Sequence, residues 1–112
     1  MNRVHLIGTL VWSVEVSRDR STGQPVAKAM LAVTDGAPGL DFVPVALHGN
    51  EATDAANYLG EGSLIYVMGH LHSVLRHERD SDGTEHTRRT LHVIADQVAY
   101  LTICPPRGGD RA

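Results

Sequence analysis

Flat and positively charged side chains are the residues of this sequence whose chemistry most suggests a ligand. The five aromatic residues are Trp12, Phe42, Tyr58, Tyr66 and Tyr100. Aromatic rings stack on planar groups, and the side chains of His and Arg can do the same. Tyr58 falls in a predicted helix and Tyr100 ends a predicted strand, where packing explains them. The other three are candidates for stacking, with packing in the core or at an interface as the alternative for each.

A row of polar and cationic side chains follows one face of a predicted strand over residues 63–76. Alternate residues of a strand share a face. One row, which we expect to join the core, is Ile65, Val67, Leu71 and Leu75, and the other is Tyr66, Met68, His70, His72, Val74 and Arg76. The second row gains positive charge when His is protonated, so it is a candidate binding surface. A solvated sheet face is the alternative.

Four arginines flank an Asp-Gly pair, Asp82-Gly83, which is a strong signal for a tight hairpin turn. They are Arg76, Arg79, Arg88 and Arg89, and acidic residues lie among them. Ion pairs within the hairpin would neutralise part of this positive patch, although exposed pairs contribute little to stability. Arg3 and Lys28 add positive charge elsewhere in the chain.

The spacing His70-x-His72 also fits a metal site, because two His at positions i and i+2 of a strand point the same way and can share a zinc ion. His48 or His92 would have to supply a third ligand. No Cys pair, HExxH motif or EF-hand loop accompanies them. We therefore predict no metal and no cofactor. No nucleophile elbow, P-loop or dinucleotide fingerprint is present, so we do not predict an enzyme.

The composition indicates one folded domain. The chain has 112 residues, of which 42% are hydrophobic and 21% charged, and no apolar run approaches the roughly 20 residues that span a bilayer. The first ten residues lack the features of a signal peptide, and the single Cys104 fits a reducing compartment. We predict a cytoplasmic protein without a membrane partner. The net charge of −3 argues mildly against non-specific binding to nucleic acid.

Period-two alternation predicts five strands, at residues 4–16, 25–34, 40–48, 63–76 and 86–101. A short helix at 50–59, with Asn50 as its N-cap, falls between the third and fourth strands. Pro44 indicates an edge, bulge or bend in the third strand. This order is that of the OB-fold, a five-stranded Greek-key barrel, so we predict an all-β fold with small α content. We expect the barrel in residues 1–103 and a flexible tail in 104–112.

Four segments, taken in order, resemble those of the bacterial single-stranded DNA-binding proteins. They are MNRVHLIGTL, GQPVAKAMLAV, YLGEGSLIYVMGHLHS and DSDGTEHTRRTLHVIADQVAYL, and together they span most of residues 1–101. The resemblance implies an OB-fold, commonly a homotetramer, that covers exposed single strands during replication, recombination and repair. It also places Phe42 where the family has a stacking aromatic.

The sequence departs from the pattern of that family at several points. The family's long, basic, aromatic-bearing hairpin is reduced to DGAPG at 35–39, and two family aromatics fall near His48 and Arg76. The family's acidic, Phe-tipped tail, which recruits repair enzymes, has no counterpart in PPRGGDRA. The resemblance therefore implies a divergent member.

Two functional hypotheses compete at this stage. In the first, the chain is a nucleoid-associated homo-oligomer, with a tetramer predicted, that binds single-stranded DNA without sequence specificity and acts with replication or repair proteins. The predicted contacts are Phe42, Trp12, Tyr66, Arg3, Lys28, His48, His70, His72, Arg76, Arg79, Arg88 and Arg89. In the second, it is an accessory or interaction module of a replication or primosome complex with weak or no DNA binding. Surplus apolar residues, such as Val98, Tyr100 and Leu101, predict an interface between subunits.

Overall fold

The computed structural model describes residues 1–34 and 39–106. The elements are β1 Val4–Leu10, β2 Glu15–Arg18, β3 Pro25–Val33, β4 Asp41–His48, α1 Gly49–Tyr58, β5 Leu64–Arg79 and β6 Glu85–Thr102. Most of the predicted short connection at 35–39 and of the predicted tail lies outside the described residues. No helix in the described ranges has the length and apolar character needed to cross a membrane.

Five strands close into a barrel, which confirms the predicted OB-fold architecture. The strand order is β1-β5-β6-β4-β3, and the pairing of β1 with β3 closes the ring. Neighbouring strands are antiparallel except β4 and β6, which are parallel and pair at Val45–Val93 and Ala46–Ile94. This parallel pairing brings together two strands that are separated along the chain by α1 and β5.

Alternate residues of each barrel strand point inward and form one core. The buried core residues are Leu10, Val14, Ala27, Ala29, Leu31, Val45, Leu47, Ala52, Ala55, Leu59, Ile65, Val67, Val93 and Ala95. Leu31, Val45 and Val67 have no exposed surface. Full burial of such a side chain is worth about 1.5–3 kcal/mol. Since the inner row stabilises the barrel, the outer row of each strand is left to face solvent.

The first predicted strand is interrupted, and the prediction of one strand over residues 4–16 is wrong. β1 ends at Leu10, whose backbone N–H bonds the Ser63 carbonyl, and β2 starts at Glu15. Between them the Val11 N–H bonds the Met30 carbonyl and Val14 turns into the core. The chain bends here because it leaves β5 and continues along β3 alone. β2 therefore extends the sheet beyond the barrel.

Helix α1 begins one residue earlier than predicted. Gly49 has a φ of 60°, a left-handed conformation that suits glycine and turns the chain sharply out of β4. His48 is the N-cap and makes no side-chain capping bond, so the prediction of Asn50 as the N-cap is wrong. Ala52 and Ala55 are the buried residues of this helix.

The β5–β6 hairpin extends beyond the barrel as a two-stranded arm, which we define as residues 71–92. β1 pairs with β5 no further than Gly69, and β4 pairs with β6 only next to Val93 and Ile94. No other layer of the described residues therefore covers the arm. Leu71 and Leu75 are 42% and 47% exposed, so the prediction that they join the core is wrong.

A β-bulge marks the base of the arm. Met68 pairs with Gln97 and Gly69 with Ala95, so Asp96 is the extra residue in β6. A Cβ atom at Gly69 would collide with the carbonyl oxygen of Ile94. Glycine is needed at this position because the two backbones approach closely. The bulge turns both Asp96 and Gln97 outward.

The chain after β6 returns to the barrel for at least two residues. The Cys104 N–H donates to the Ser63 hydroxyl, which in turn donates to the Cys104 carbonyl, both at 3.0 Å. The Gly60 N–H also donates to that carbonyl, at 2.6 Å. Ser63 is fully buried, so these bonds satisfy its hydroxyl. The boundary between barrel and tail at residue 103 stays a prediction.

Candidate nucleic-acid interface

Outward-facing residues of four strands form a continuous surface on one side of the barrel. Strand register places Lys28 beside Ala46, Ala46 beside Ile94 and Ile94 beside His70. Paired residues of a sheet point to the same face. We call this surface the platform and define it by Lys28, Met30, Pro44, Ala46, Ile94 and His70. It has a small, apolar floor with a cationic group at one margin and a titratable one at the other.

Phe42 lies on the same face of β4, at one end of the platform. It pairs with Ala32, and its side chain is 58% exposed. The parallel pairing of Val45 with Val93 means that the residues preceding each of them extend in the same direction. Phe42 and the arm therefore project from the same end of the barrel. The next outward residues of β4 are the small side chains of Pro44 and Ala46. The ring of Phe42 is therefore accessible to a planar ligand.

The outer face of the arm continues the platform. Its cross-strand pairs are His72–His92, Val74–Thr90 and Arg76–Arg88. Arg88 lies 3.9 Å from Glu78, so its charge is partly balanced. Among the described residues Arg76 has no acidic partner. The outer face of the arm therefore offers at least one uncompensated guanidinium.

The opposite face of the arm carries the other two arginines of the hairpin. Arg79 is paired with Glu85 at 2.6 Å, and Arg89 donates to the Ser73 hydroxyl at 3.2 Å. The exposed side chains on this face include Leu71, Leu75 and Leu91. The four arginines of the hairpin therefore do not form one patch. Arg76 and Arg88 lie with the platform, whereas Arg79 and Arg89 lie on the apolar face.

A groove between β2 and β3 brings Trp12 close to Lys28. Trp12 is 51% exposed and lies in the bend that follows β1. The groove is lined by Trp12, Ser13, Glu15, Ser17, Val26, Ala27 and Lys28. Glu15 pairs with Lys28 across the strands, so an acidic side chain borders the groove. Trp12 and Lys28 thus supply a ring and a charge at the margin of the platform opposite His70.

Tyr66 is the least available of the three stacking candidates. It is half-buried, and its hydroxyl lies 2.9 Å from His5 Nδ1, with the two rings tilted by 45°. A second groove near this pair contains Arg3, His5 and His70 together with Asp96. His70 Nδ1 is 3.1 Å from the Asp96 carboxylate. Arg3 and His70 therefore share a surface, but Asp96 offsets part of their charge.

His48 and the remaining aromatics lie away from Phe42. His48 is exposed at the far end of β4, where it pairs with Val26. Tyr58 is on the helix and 56% exposed. Tyr100 packs against the core, and partial burial raises its pKa, with further upward contributions from Asp54, Glu51 and Tyr58. Tyr58 is therefore exposed but separate from the platform.

Two outward-facing histidines, of which His5 lines the second groove, were not revealed as interface residues by the sequence. His5 and His92 were not among the predicted binding residues, yet both point to the outer face of the sheet. The register of the hairpin around Asp82-Gly83 was a usable signal for His92, since it sets His92 opposite His72. In residues 1–34 and 39–106, no three His, Cys, Asp or Glu side chains are grouped to hold a metal ion.

Comparison with known proteins identifies the family. A family model described as the single-strand binding protein family matches residues 1–101. The chain is 38% identical over 106 residues to a single-stranded DNA-binding protein of Clostridium tetani, which covers 90% of this chain and 70% of the relative. It is 34% identical to single-stranded DNA-binding protein 3 of Clostridium acetobutylicum, with 90% and 71% covered. The chain belongs to the single-strand binding protein family.

Membership of the single-strand binding family confirms the resemblance that the four sequence segments indicated. A single-stranded DNA-binding protein of Bacillus cereus is 33% identical over an alignment of 116 positions. The alignment covers 97% of this chain and 63% of that protein. The family match spans all the strands that build the platform except the last residue of β6. The outer face of the barrel and of the arm is therefore part of the family domain.

Proposed function

We propose that this chain binds single-stranded DNA without sequence specificity, with the strand lying across the platform and along the outer face of the arm. The observation that carries the proposal is that one continuous face holds the exposed ring of Phe42 together with Lys28, Arg76 and Arg88. Non-specific binding of single strands combines a positive track for the backbone with rings on which bases stack. The relatives named above are called single-stranded DNA-binding proteins, which supports the same activity.

Each predicted contact has a place in this proposal. Phe42 stacks on a base, and Trp12 stacks on another at the margin near Lys28. Tyr66 contributes less because its hydroxyl is engaged by His5. The proposed phosphate contacts are Arg3, Lys28, His48, His70, His72, Arg76 and Arg88. Arg79 and Arg89 lie on the other face of the arm, so we expect them to contribute only through longer-range attraction.

The cellular role follows from such binding. Covering exposed single strands during replication, recombination or repair requires affinity without base readout, which stacking and phosphate contacts provide. We further propose a homotetramer that associates with the nucleoid and meets replication or repair proteins there. Leu101 and Ile103 at the end of β6 and Ile7 of β1 are 49–53% exposed, which supports an interface between copies there. Light scattering should give four times the mass of one chain, and a monomer would contradict the tetramer.

The decisive experiment compares two aromatic residues of equal exposure. Phe42→Ala should weaken binding to oligo-dT by roughly 5-fold to 150-fold, since one stacked base is worth about 1–3 kcal/mol. Tyr58→Ala is the matched control, because Tyr58 is 56% exposed against 58% for Phe42 but lies on α1. Fluorescence anisotropy at low and high salt measures both affinities. Equal effects of the two substitutions on affinity would contradict the proposal that Phe42 stacks on a base.

Failure of the wild type to bind at low salt would overturn the proposal itself. The accessory-module hypothesis would then be the better account of the barrel and its exposed arm.

A further inference from the structure

Histidines are concentrated on the outer face of this protein. The sequence has seven His, and six of them point outward: His5, His48, His70, His72, His86 and His92. The seventh, His77, pairs with Thr87 on the opposite face of the arm. The same outer face carries only a few permanent cations. The six His outnumber the permanent cations Arg3, Lys28, Arg76 and Arg88, so protonation of imidazoles can add to the positive charge of this face.

The centre of this distribution is a cross-strand pair of histidines. His72 and His92 lie directly opposite each other in the β5–β6 ladder, a position that brings Cβ atoms to about 4.5–5.5 Å. His92 Nε2 is 3.2 Å from the Thr90 hydroxyl, and His70 is the next outward residue along β5. Two protonated imidazoles at this distance repel each other. An anion held between them removes that repulsion.

Arg76 and Arg88, on the same face as the His72–His92 pair, also favour an anion between the two rings. Along the arm, the next outward pair beyond Val74 and Thr90 is Arg76 and Arg88. Glu78 lies further out, opposite His86 and 3.9 Å from Arg88. Towards the barrel, Asp96 contacts His70 and not His72 or His92.

Neighbouring strands supply no acid to the pair. From β1, Arg3 and His5 line the groove next to His70. The outward residues of β4 on this side are Pro44 and Phe42, which carry no charge. Among residues 1–34 and 39–106, no acidic side chain forms an ion pair with His72 or His92.

We propose that DNA binding by this protein is coupled to proton uptake by the His72–His92 pair, with a backbone phosphate held between the two imidazoles. This inference rests on the proposed function, since it names contacts within the same interface. A phosphate favours the charged form of both rings, so the complex holds more protons than the free protein. By linkage, affinity then rises as the pH falls through the range in which His titrates.

The coupling has a measurable size. If about one proton is taken up per binding event, the affinity for oligo-dT should rise by up to about 10-fold for each pH unit within the range in which His titrates. Oligo-dT is the right probe because thymine gains no proton in this range. The slope of log affinity against log salt should also steepen at low pH, by about 0.7 for each added phosphate contact to a single strand.

The test measures oligo-dT affinity at about pH 6 and about pH 8, at constant ionic strength, for three proteins. They are the wild type, the double variant His72→Gln and His92→Gln, and the control His77→Gln on the opposite face of the arm. The wild type and the control should bind more tightly at the lower pH, and the double variant should lose most of that gain. Calorimetry in two buffers of different ionisation enthalpy should show less proton uptake by the double variant.

Each outcome bears on one proposal or the other. A wild-type affinity that is independent of pH, or a double variant with the full pH dependence, overturns the coupling while leaving DNA binding intact. Loss of the pH dependence in the His77→Gln control also contradicts it, because that residue lies off the interface. No binding at either pH overturns the proposed function and the coupling together. All three side chains lie on the arm outside the barrel core. Thermal unfolding of each variant is the check that it is folded.

Discussion

Glu51 shows how a single side chain on the helix affects the stability of the barrel. Its carboxylate lies near the Val98 backbone N–H, which favours the ionised form, and near Asp54, which disfavours it. Partial burial is the main cause that raises the pKa of Glu51 above its ordinary value of 4.5, and repulsion from Asp54 adds to it. The nearby Val98 N–H lowers the pKa of Glu51 but does not outweigh these two effects. The ionised form of Glu51 is therefore less stable in the folded protein than in the unfolded chain.

The raised pKa of Glu51 predicts a pH-dependent gain from removing its charge. A carboxyl that holds its proton more tightly in the folded state favours folding below its ordinary value of 4.5, and this advantage is lost as the pH rises through the raised pKa. Glu51→Gln keeps an acceptor for Val98 without the charge. Its unfolding temperature should exceed that of the wild type at neutral pH, and the difference should vanish in acid, where both side chains are neutral. A difference that grows in acid would contradict this account.

At the scale of elements, the arm and the barrel differ in what their apolar residues do. Leu31 has no exposed surface, whereas Leu91 is 65% exposed. Leu31→Ala should lower the free energy of unfolding by about 2–5 kcal/mol, since it leaves a cavity in a packed core. Leu91→Ala should change it by less than about 0.5 kcal/mol. Urea denaturation measures both. A large effect at Leu91 in a protein at low concentration would indicate that the arm is covered within a single chain.

Alternation along the sequence was sufficient to predict the elements of the barrel but not where the core ends. Ile65 and Val67 were assigned to the core correctly, because this part of β5 faces the shared core of the barrel. The same rule failed at Leu71 and Leu75, because alternation does not reveal that β1 leaves β5 at Gly69. The pairing of β1 with β5 joins residues that are far apart in the chain, so no local pattern shows where it ends.

The candidate site was predictable in its residue types more than in their arrangement. Arg88 and Arg89 are neighbours on a strand, so alternation alone requires them to point to opposite faces. Only the register of the hairpin then shows which of them lies beside Arg76. The position of Phe42 near the arm depends on the parallel pairing of β4 with β6, which links segments that are distant in sequence.

At the scale of the whole molecule, a net charge of −3 must be reconciled with binding to a polyanion. The proposal needs only local excess, and Arg3, Lys28, Arg76 and Arg88 supply it on one face. With about four phosphates neutralised, log affinity should fall with log salt at a slope of about −3, since each contact to a single strand contributes about −0.7.

Arg76 gives the sharpest test of this charge distribution. Arg76→Gln should reduce the salt slope by about 0.7 and weaken binding at low salt, because Arg76 has no acidic partner among the described residues. Arg79→Gln is the matched control on the other face of the arm, where Glu85 already balances the charge. Salt titrations of oligo-dT binding measure both slopes. Equal changes of the salt slope in the two variants would contradict the proposal that DNA lies on the outer face of the arm.

The parallel pairing of β4 with β6 is also one of the two shortest joints in the ring. Two residue pairs join these strands at this seam, the same number as join β1 and β3, against eight between β3 and β4. Ala46 and Ile94 lie on the seam and on the platform at once. A strand of DNA bound across the platform would hold the two sides together, and hydrogen exchange of the seam amides should slow on binding. Bound DNA would thus stabilise one of the two joints of the barrel that have the fewest residue pairs.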